Sequence, residues 1–103
     1  MYLTRLEMNR ALPTGKKALR LSFADGTMIR HSYKDSVKVG KFDMNRGVIV
    51  CNEVEYTSIS TFAERHKFKK LGRYMAADGW NECEYYTEAD GWKTTYSVRP
   101  LPK

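Results

Sequence analysis

The residues of this 103-residue chain that could support chemistry are few, and their spacing is unpromising. His31 and His66 lie in segments that predict a strand and a helix, and neither belongs to a serine nucleophile motif or to H-x-x-x-H spacing. Cys51 and Cys83 also lack the C-x-x-C spacing of a zinc site. The pattern therefore predicts no metal, no cofactor and no enzymatic activity.

Both cysteines fall in segments typical of strands, where a reduced cysteine is usually a small buried hydrophobe. The first residues of the chain lack the basic, apolar and cleavage regions of a signal peptide, and no apolar run approaches the ~18 residues of a membrane span. We therefore expect an intracellular, reducing compartment and no membrane partner. The sequence does not distinguish nucleus, nucleoid and virion.

Two carboxylates, Glu82 and Glu84, share one face of a predicted strand because side chains alternate with a period of two. Paired carboxylates can act as general acid and base. Exposed glutamates are the norm in folded proteins, however. We therefore interpret the pair as a solvated acidic face.

The strongest global feature is positive charge: 18 Lys and Arg residues stand against 12 Asp and Glu residues, for a formal net charge of +6. Such an excess favours an anionic partner. Part of it is concentrated in residues 65–73, and clustered cations can neutralise phosphates of double-stranded DNA. The predicted nucleic-acid-binding residues are Arg65, Lys67, Lys69, Lys70 and Arg73. The alternative is a solvated helix end whose cations complement the helix dipole.

Short alternating segments predict strands ahead of this basic run. Residues 17–24 and 27–33 alternate around Asp25-Gly26, a dipeptide that tolerates the positive φ values of a tight hairpin turn, so we expect a hairpin. Residues 37–42 and 47–51 predict a second strand pair, with a turn at 43–46.

One amphipathic helix is predicted to follow these strands. Its apolar face has the spacing i, i+3, i+4 and i+7, and consists of Ile59, Phe62, Ala63 and His66. Ser58 is the expected N-cap, and Gly72 can end the helix in a left-handed conformation.

Residues 80–86 and 92–98 predict two further strands. We expect Trp80 to be mostly buried against the apolar helix face, with Gly79 allowing the close approach. The predicted fold class is α+β, a small twisted antiparallel sheet of hairpins with one principal amphipathic helix. Residues 1–16 form a basic N-terminal lead-in, and residues 17–103 form a single domain.

Three short motifs between residues 47 and 83 occur in a recognisable order. They are Gly47-Val48-Ile49-Val50, then Glu55-Tyr56-Thr57-Ser58-Ile59-Ser60-Thr61-Phe62-Ala63, then Asp78-Gly79-Trp80. This order resembles the RAMA domain, a small module associated with restriction systems and adenine methylases and thought to bind DNA. The resemblance implies that Tyr56 ends a strand, that Ser58 caps the helix, and that Gly79 and Trp80 pack the helix onto the sheet.

Two functions from different classes are compatible with the sequence. The first is a non-enzymatic DNA-binding module that contacts phosphates through the basic helix end and the following loop. The second is a structural or interaction protein, such as a minor component of a viral or nucleoprotein assembly. It is suggested by the acidic stretch at residues 78–90, which makes the charge distribution bipolar and suits docking between proteins. Its possible anchors are Tyr85, Tyr86, Trp92 and Tyr96.

Overall fold

The computed structural model describes residues 13–101, so most of the predicted lead-in lies outside the described residues. The helices are α1 (Gly15–Ser22), α2 (Ile59–Leu71), the short α3 (Gly79–Glu82) and a 3-10 helix (Thr95–Val98). The strands are β1 (Met28–Tyr33), β2 (Ser36–Asp43), β3 (Val48–Cys51), β4 (Val54–Tyr56), β5 (Cys83–Thr87) and β6 (Gly91–Thr94).

The strands form one open antiparallel sheet in the order β4-β3-β2-β1-β5-β6. The longer helix α2 packs against one face of this sheet, which we call the inner face. The core between them is formed by apolar side chains that are almost fully buried, among them Leu19, Phe23, Ile29, Phe42, Ile49, Ile59 and Phe62. The predicted α+β class, with a sheet of hairpins and one principal helix, is confirmed.

Helix α2 has the caps that the sequence predicts. The Ser58 hydroxyl accepts a hydrogen bond of 3.1 Å from the Thr61 amide, which satisfies one of the orphan donors of the first turn. At the other end, Gly72 adopts φ 74° and its amide donates to the Phe68 carbonyl. All four residues predicted on the apolar face are buried, including His66.

The predicted hairpin across Asp25-Gly26 is wrong, because its first half is helix α1. Ala, Leu, Lys and Arg are strong helix formers, and the alternation that suggested a strand covers only three apolar residues. The helix buries the adjacent Ala18 and Leu19, which a half-buried strand would place on opposite faces. Asp25-Gly26 still forms a turn, but it joins α1 to β1, and β1 pairs with β2 instead.

The second strand pair is confirmed. Strands β2 and β3 are antiparallel, with Phe42 opposite Ile49, and the intervening turn is closed by a bond from the Gly47 amide to the Asp43 carbonyl. Gly40 lets the neighbouring elements approach β2. A Cβ there would lie 2.6 Å from Ile49 and 3.0 Å from Phe62.

The last predicted strands are only partly correct. Residues 79–82 form α3 and the strand begins at Cys83, while β6 ends at Thr94 and gives way to the 3-10 helix. Gly79, rather than Trp80, lies against α2, and a Cβ on Gly79 would stand 2.4 Å from the carbonyl carbon of Ile59. Trp80 is half-buried and stacks on Phe23 at 5.8 Å between ring centroids, so the prediction that it is mostly buried against α2 is wrong.

Candidate functional site

Four polar side chains from four different elements form one continuous hydrogen-bonded chain. Glu82 Oε1 lies 3.1 Å from His31 Nε2, and His31 Nδ1 lies 2.7 Å from His66 Nδ1. His66 Nε2 then lies 2.8 Å from the hydroxyl of Ser36. We call these four residues the polar chain. It links the C-terminal end of α3 to the start of β2.

The polar chain passes through the core between the sheet and α2. His31 occupies an inward position of β1 and is fully buried, and His66 occupies an inward position of α2 and is 5% exposed. Burying unpaired imidazoles would be costly, so both rings need partners on each nitrogen. Glu82 and Ser36 at the two ends are only partly buried, so the chain reaches the surface at both ends.

The direction of the protons in the polar chain follows from its acidic end. An ionised Glu82 only accepts, so His31 Nε2 carries a proton, and a neutral His31 then accepts at Nδ1. His66 must donate from Nδ1, which leaves its Nε2 as the acceptor for the hydroxyl proton of Ser36. With both rings neutral, the Ser36 hydroxyl therefore donates a hydrogen bond to a ring nitrogen, as a serine does beside its general base.

The titration behaviour of the three ionisable groups supports this arrangement. Burial lowers the pKa of His66 to about 4, and the neighbouring ring and lysines add to the effect. Burial also lowers the pKa of His31, against the opposing influence of Glu82. Although partial burial alone would raise the pKa of Glu82, hydrogen bonds from its partners hold it below its usual range. At neutral pH the two rings are neutral and the carboxylate is ionised.

Lys67 belongs to this internal network and not to the basic surface. Its side chain is 10% exposed, and its ammonium group lies 2.8 Å from Glu82 Oε1 and donates to the Ala76 carbonyl at 3.3 Å. The sequence places Lys67 among the phosphate contacts, but the structure contradicts this because its charge is already paired inside the fold. The internal position of Lys67 could have been predicted, because Lys67 follows His66 on the inward side of the predicted helix.

The Ser36 end of the polar chain opens into a cleft of about 680 Å³ between α2 and the strands β2 to β4. We call it the basic cleft. Its lining includes Ser36 and His66 together with four cationic side chains, namely Lys38, Arg65, Lys69 and Lys70. The described residues that line it include no carboxylate. The Asp35 carboxylate, which is outside the lining, pairs with Lys70.

Lys38 is the cation that the sequence analysis missed. Its ammonium group donates to the Phe62 carbonyl at 3.0 Å and lies 3.9 Å from the ring centroid of Tyr56. Burial lowers its pKa to about 8, so it is mostly protonated at neutral pH. No sequence pattern indicated Lys38, because it lies on a strand and outside the basic run at residues 65–73.

The predicted phosphate-binding residues thus separate into three groups. Arg65, Lys69 and Lys70 lie together on the basic cleft. Lys67 is internal, and Arg73 follows the end of α2, exposed but outside the cleft lining. Three of the five predicted residues therefore share one surface.

The interpretation of Glu82 and Glu84 as one solvated acidic face is wrong. Glu82 ends α3 and joins the buried polar chain, whereas Glu84 lies on β5 and pairs with Arg30 at 3.0 Å on the opposite, outer face of the sheet. The period-two argument failed because a helical turn precedes Cys83. Cys83 and Cys51 are both buried and free, as predicted, and burial raises the pKa of Cys83 to about 12.

Three of the four structural residues suggested by the RAMA resemblance occupy the expected places. Tyr56 ends β4, Ser58 caps α2, and the backbone at Gly79 packs on the first turn of α2. Trp80 contributes to the core through Phe23 instead. These placements are also what any helix packed on a sheet requires, so membership of the family stays a prediction.

Comparison of the chain with protein-family models, curated proteins and solved structures yields no match. Within residues 13–101, no helix has both the length and the apolar character to cross a membrane, and no group of three metal-ligating side chains is assembled. The polar chain and the basic cleft are therefore the features of the molecule that bear on its function.

Proposed function

We propose that the protein binds double-stranded DNA through the basic cleft, with Arg65, Lys69 and Lys70 contacting phosphates. The observation that carries this proposal is the convergence of four cationic side chains on one cleft whose described lining has no carboxylate. Such a surface attracts a polyanion and releases counterions when it binds one. Phosphate contacts position a protein on DNA without specifying sequence.

The cleft offers more than a generic basic surface. The guanidinium of Arg65 can engage a phosphate with two parallel hydrogen bonds, and the lysines act as point charges beside it. Lys38 is held in place by the Phe62 carbonyl and the Tyr56 ring, so it loses little side-chain entropy on binding. The Asp35 carboxylate pairs with Lys70, so the charge of this lysine is partly neutralised before DNA binds.

Fluorescence anisotropy with a labelled duplex tests the proposal. We expect affinity to fall steeply as salt rises, and the triple variant Arg65→Gln, Lys69→Gln, Lys70→Gln to reduce the slope of log K against log salt by about 3. The matched control, Lys17→Gln, Lys41→Gln, Lys93→Gln, removes the same charge from exposed positions outside the cleft lining. Equal slopes for the two variants, or no binding at low salt, would contradict the proposal.

The second candidate, an interaction protein in an assembly, is favoured by a different surface. Outside the basic cleft, the outer face of the sheet carries exposed apolar side chains from neighbouring strands, including Met28 and Tyr86. Patches of this kind often mark protein contacts. Light scattering with and without duplex separates the two candidates. A chain that self-assembles and ignores DNA favours the second, and a monomer that binds duplex favours the first.

A further inference from the structure

The polar chain has a feature that phosphate binding does not require. It ends in a hydroxyl that donates to a ring nitrogen, and this hydroxyl lines the same cleft as the cations. A histidine whose only task was to be satisfied in the core could pair with any backbone carbonyl. Here His66 and His31 instead connect Ser36 to the carboxylate of Glu82 at the end of α3.

We propose that Ser36 is a nucleophile activated through this chain, and that it attacks the phosphorus of a phosphate diester held in the basic cleft. Because the substrate is bound by the same cations, the inference rests on the proposed function of the cleft. It departs from the expectation of a non-enzymatic protein. That expectation was based on motif spacing along the sequence, which does not reveal partners brought together from separate elements.

The reaction step balances within the polar chain. The Ser36 oxygen forms a bond to phosphorus, and the bond to the leaving oxygen breaks, so that oxygen departs with the electron pair. The Ser36 proton moves to His66 Nε2, and the Nδ1 proton of His66 moves to His31 Nδ1. His31 then carries the positive charge beside the Glu82 carboxylate.

The second ring gives this transfer a physical advantage. A charge on His66 would face the cations of the cleft, Lys38, Lys69 and Lys70, whereas a charge on His31 lies 3.1 Å from the carboxylate of Glu82. The product state keeps the same three heavy-atom contacts: two protons each move by one position, and the Nε2 proton of His31 stays beside the Glu82 carboxylate. The cations of the cleft meanwhile face the charge that develops on the phosphoryl oxygens.

The experiment uses bis(4-nitrophenyl) phosphate, an anionic diester whose aryloxide leaving group needs no proton. We expect the wild-type chain to release one equivalent of 4-nitrophenolate in a burst and to carry one aryl phosphoryl group on Ser36, located by peptide mass spectrometry. Ser36→Ala abolishes the burst and the adduct. His66→Gln slows the burst about a hundredfold, because glutamine cannot take the proton. Ser32→Ala, on the outer face of the same hairpin, is the control and reacts like wild type.

Thermal unfolding of each variant shows whether a loss of reaction reflects a loss of the fold. Absence of an adduct on wild type, or an adduct on another residue, would overturn the proposal, as would an unchanged rate in a folded His66→Gln variant. A protein that binds DNA but forms no adduct overturns this inference alone, and one that fails to bind DNA overturns the proposed function.

Discussion

Replacement of Glu82 by glutamine tests how strongly the polar chain depends on its acidic end. The carboxylate accepts from Lys67 at 2.8 Å, from His31 at 3.1 Å and from the Asp78 amide at 2.9 Å. Glutamine keeps one acceptor oxygen but removes the charge opposite a lysine whose side chain is 10% exposed. A hydrogen bond to a charged group contributes roughly 1.5–3 kcal/mol, and the partial exposure of Glu82 places the loss near the lower end, at about 2 kcal/mol.

Urea unfolding followed by circular dichroism measures this loss, and the melting temperature should fall by roughly 10 °C. Glu84→Gln is the matched control, because its pair with Arg30 is about a third exposed on both sides and is worth roughly 0.2–1 kcal/mol. Sequence alone treats these two glutamates as equivalent. Equal destabilisation by the two substitutions would refute the account of Glu82 as an internal partner.

Three further predictions follow from the same structure. The pKa of His66 is about 4 in the folded chain and 6.5 in the unfolded chain, so the unfolded chain binds the proton more readily. The contribution to the free energy of unfolding is full above pH 6.5 and declines by about 3 kcal/mol as the pH falls to 4. His66→Gln should remove this component of acid unfolding, as measured by urea titration at each pH. Gly79→Ala should destabilise the fold by about 3 kcal/mol, because the new Cβ would stand 2.4 Å from the backbone of Ile59. Gly72→Ala should cost about 1 kcal/mol, because the Cβ would enter open space and only the positive φ of 74° is unfavourable. Similar melting temperatures for the two variants would contradict this. Trp80→Ala should cost about 2 kcal/mol, since the ring is half-buried on Phe23, and leave the anisotropy titration with DNA unchanged.

Much of the sheet and the main helix could be predicted, because they depend on local rules. The cap at Ser58, the left-handed Gly72 and the apolar spacing of α2 each follow from a few neighbouring residues. The pairing of β2 with β3 likewise follows from two short apolar segments around a turn. Helix α1 was not predicted, because three alternating apolar residues suggested a strand although the residue types in this segment favour a helix.

The site could not be predicted, because it depends on pairing between distant elements. His31 and His66 are 35 positions apart, and Glu82 is 51 positions from His31. Only the strand order, which places β5 beside β1, and the packing of α2 bring these side chains together. The one available signal was that both histidines occupy inward positions of their elements, where a polar side chain needs a partner.

Nuclear magnetic resonance offers the most direct test of the claim that phosphates bind in the basic cleft. Amide shifts of the isotope-labelled protein would be followed during titration with a short duplex. The account predicts that the largest changes cluster at residues 36–39, 51–56 and 65–70, and that the outer sheet face around Arg30, Glu84 and Trp92 is unaffected. Changes centred on that outer face, or none at low salt, would contradict it.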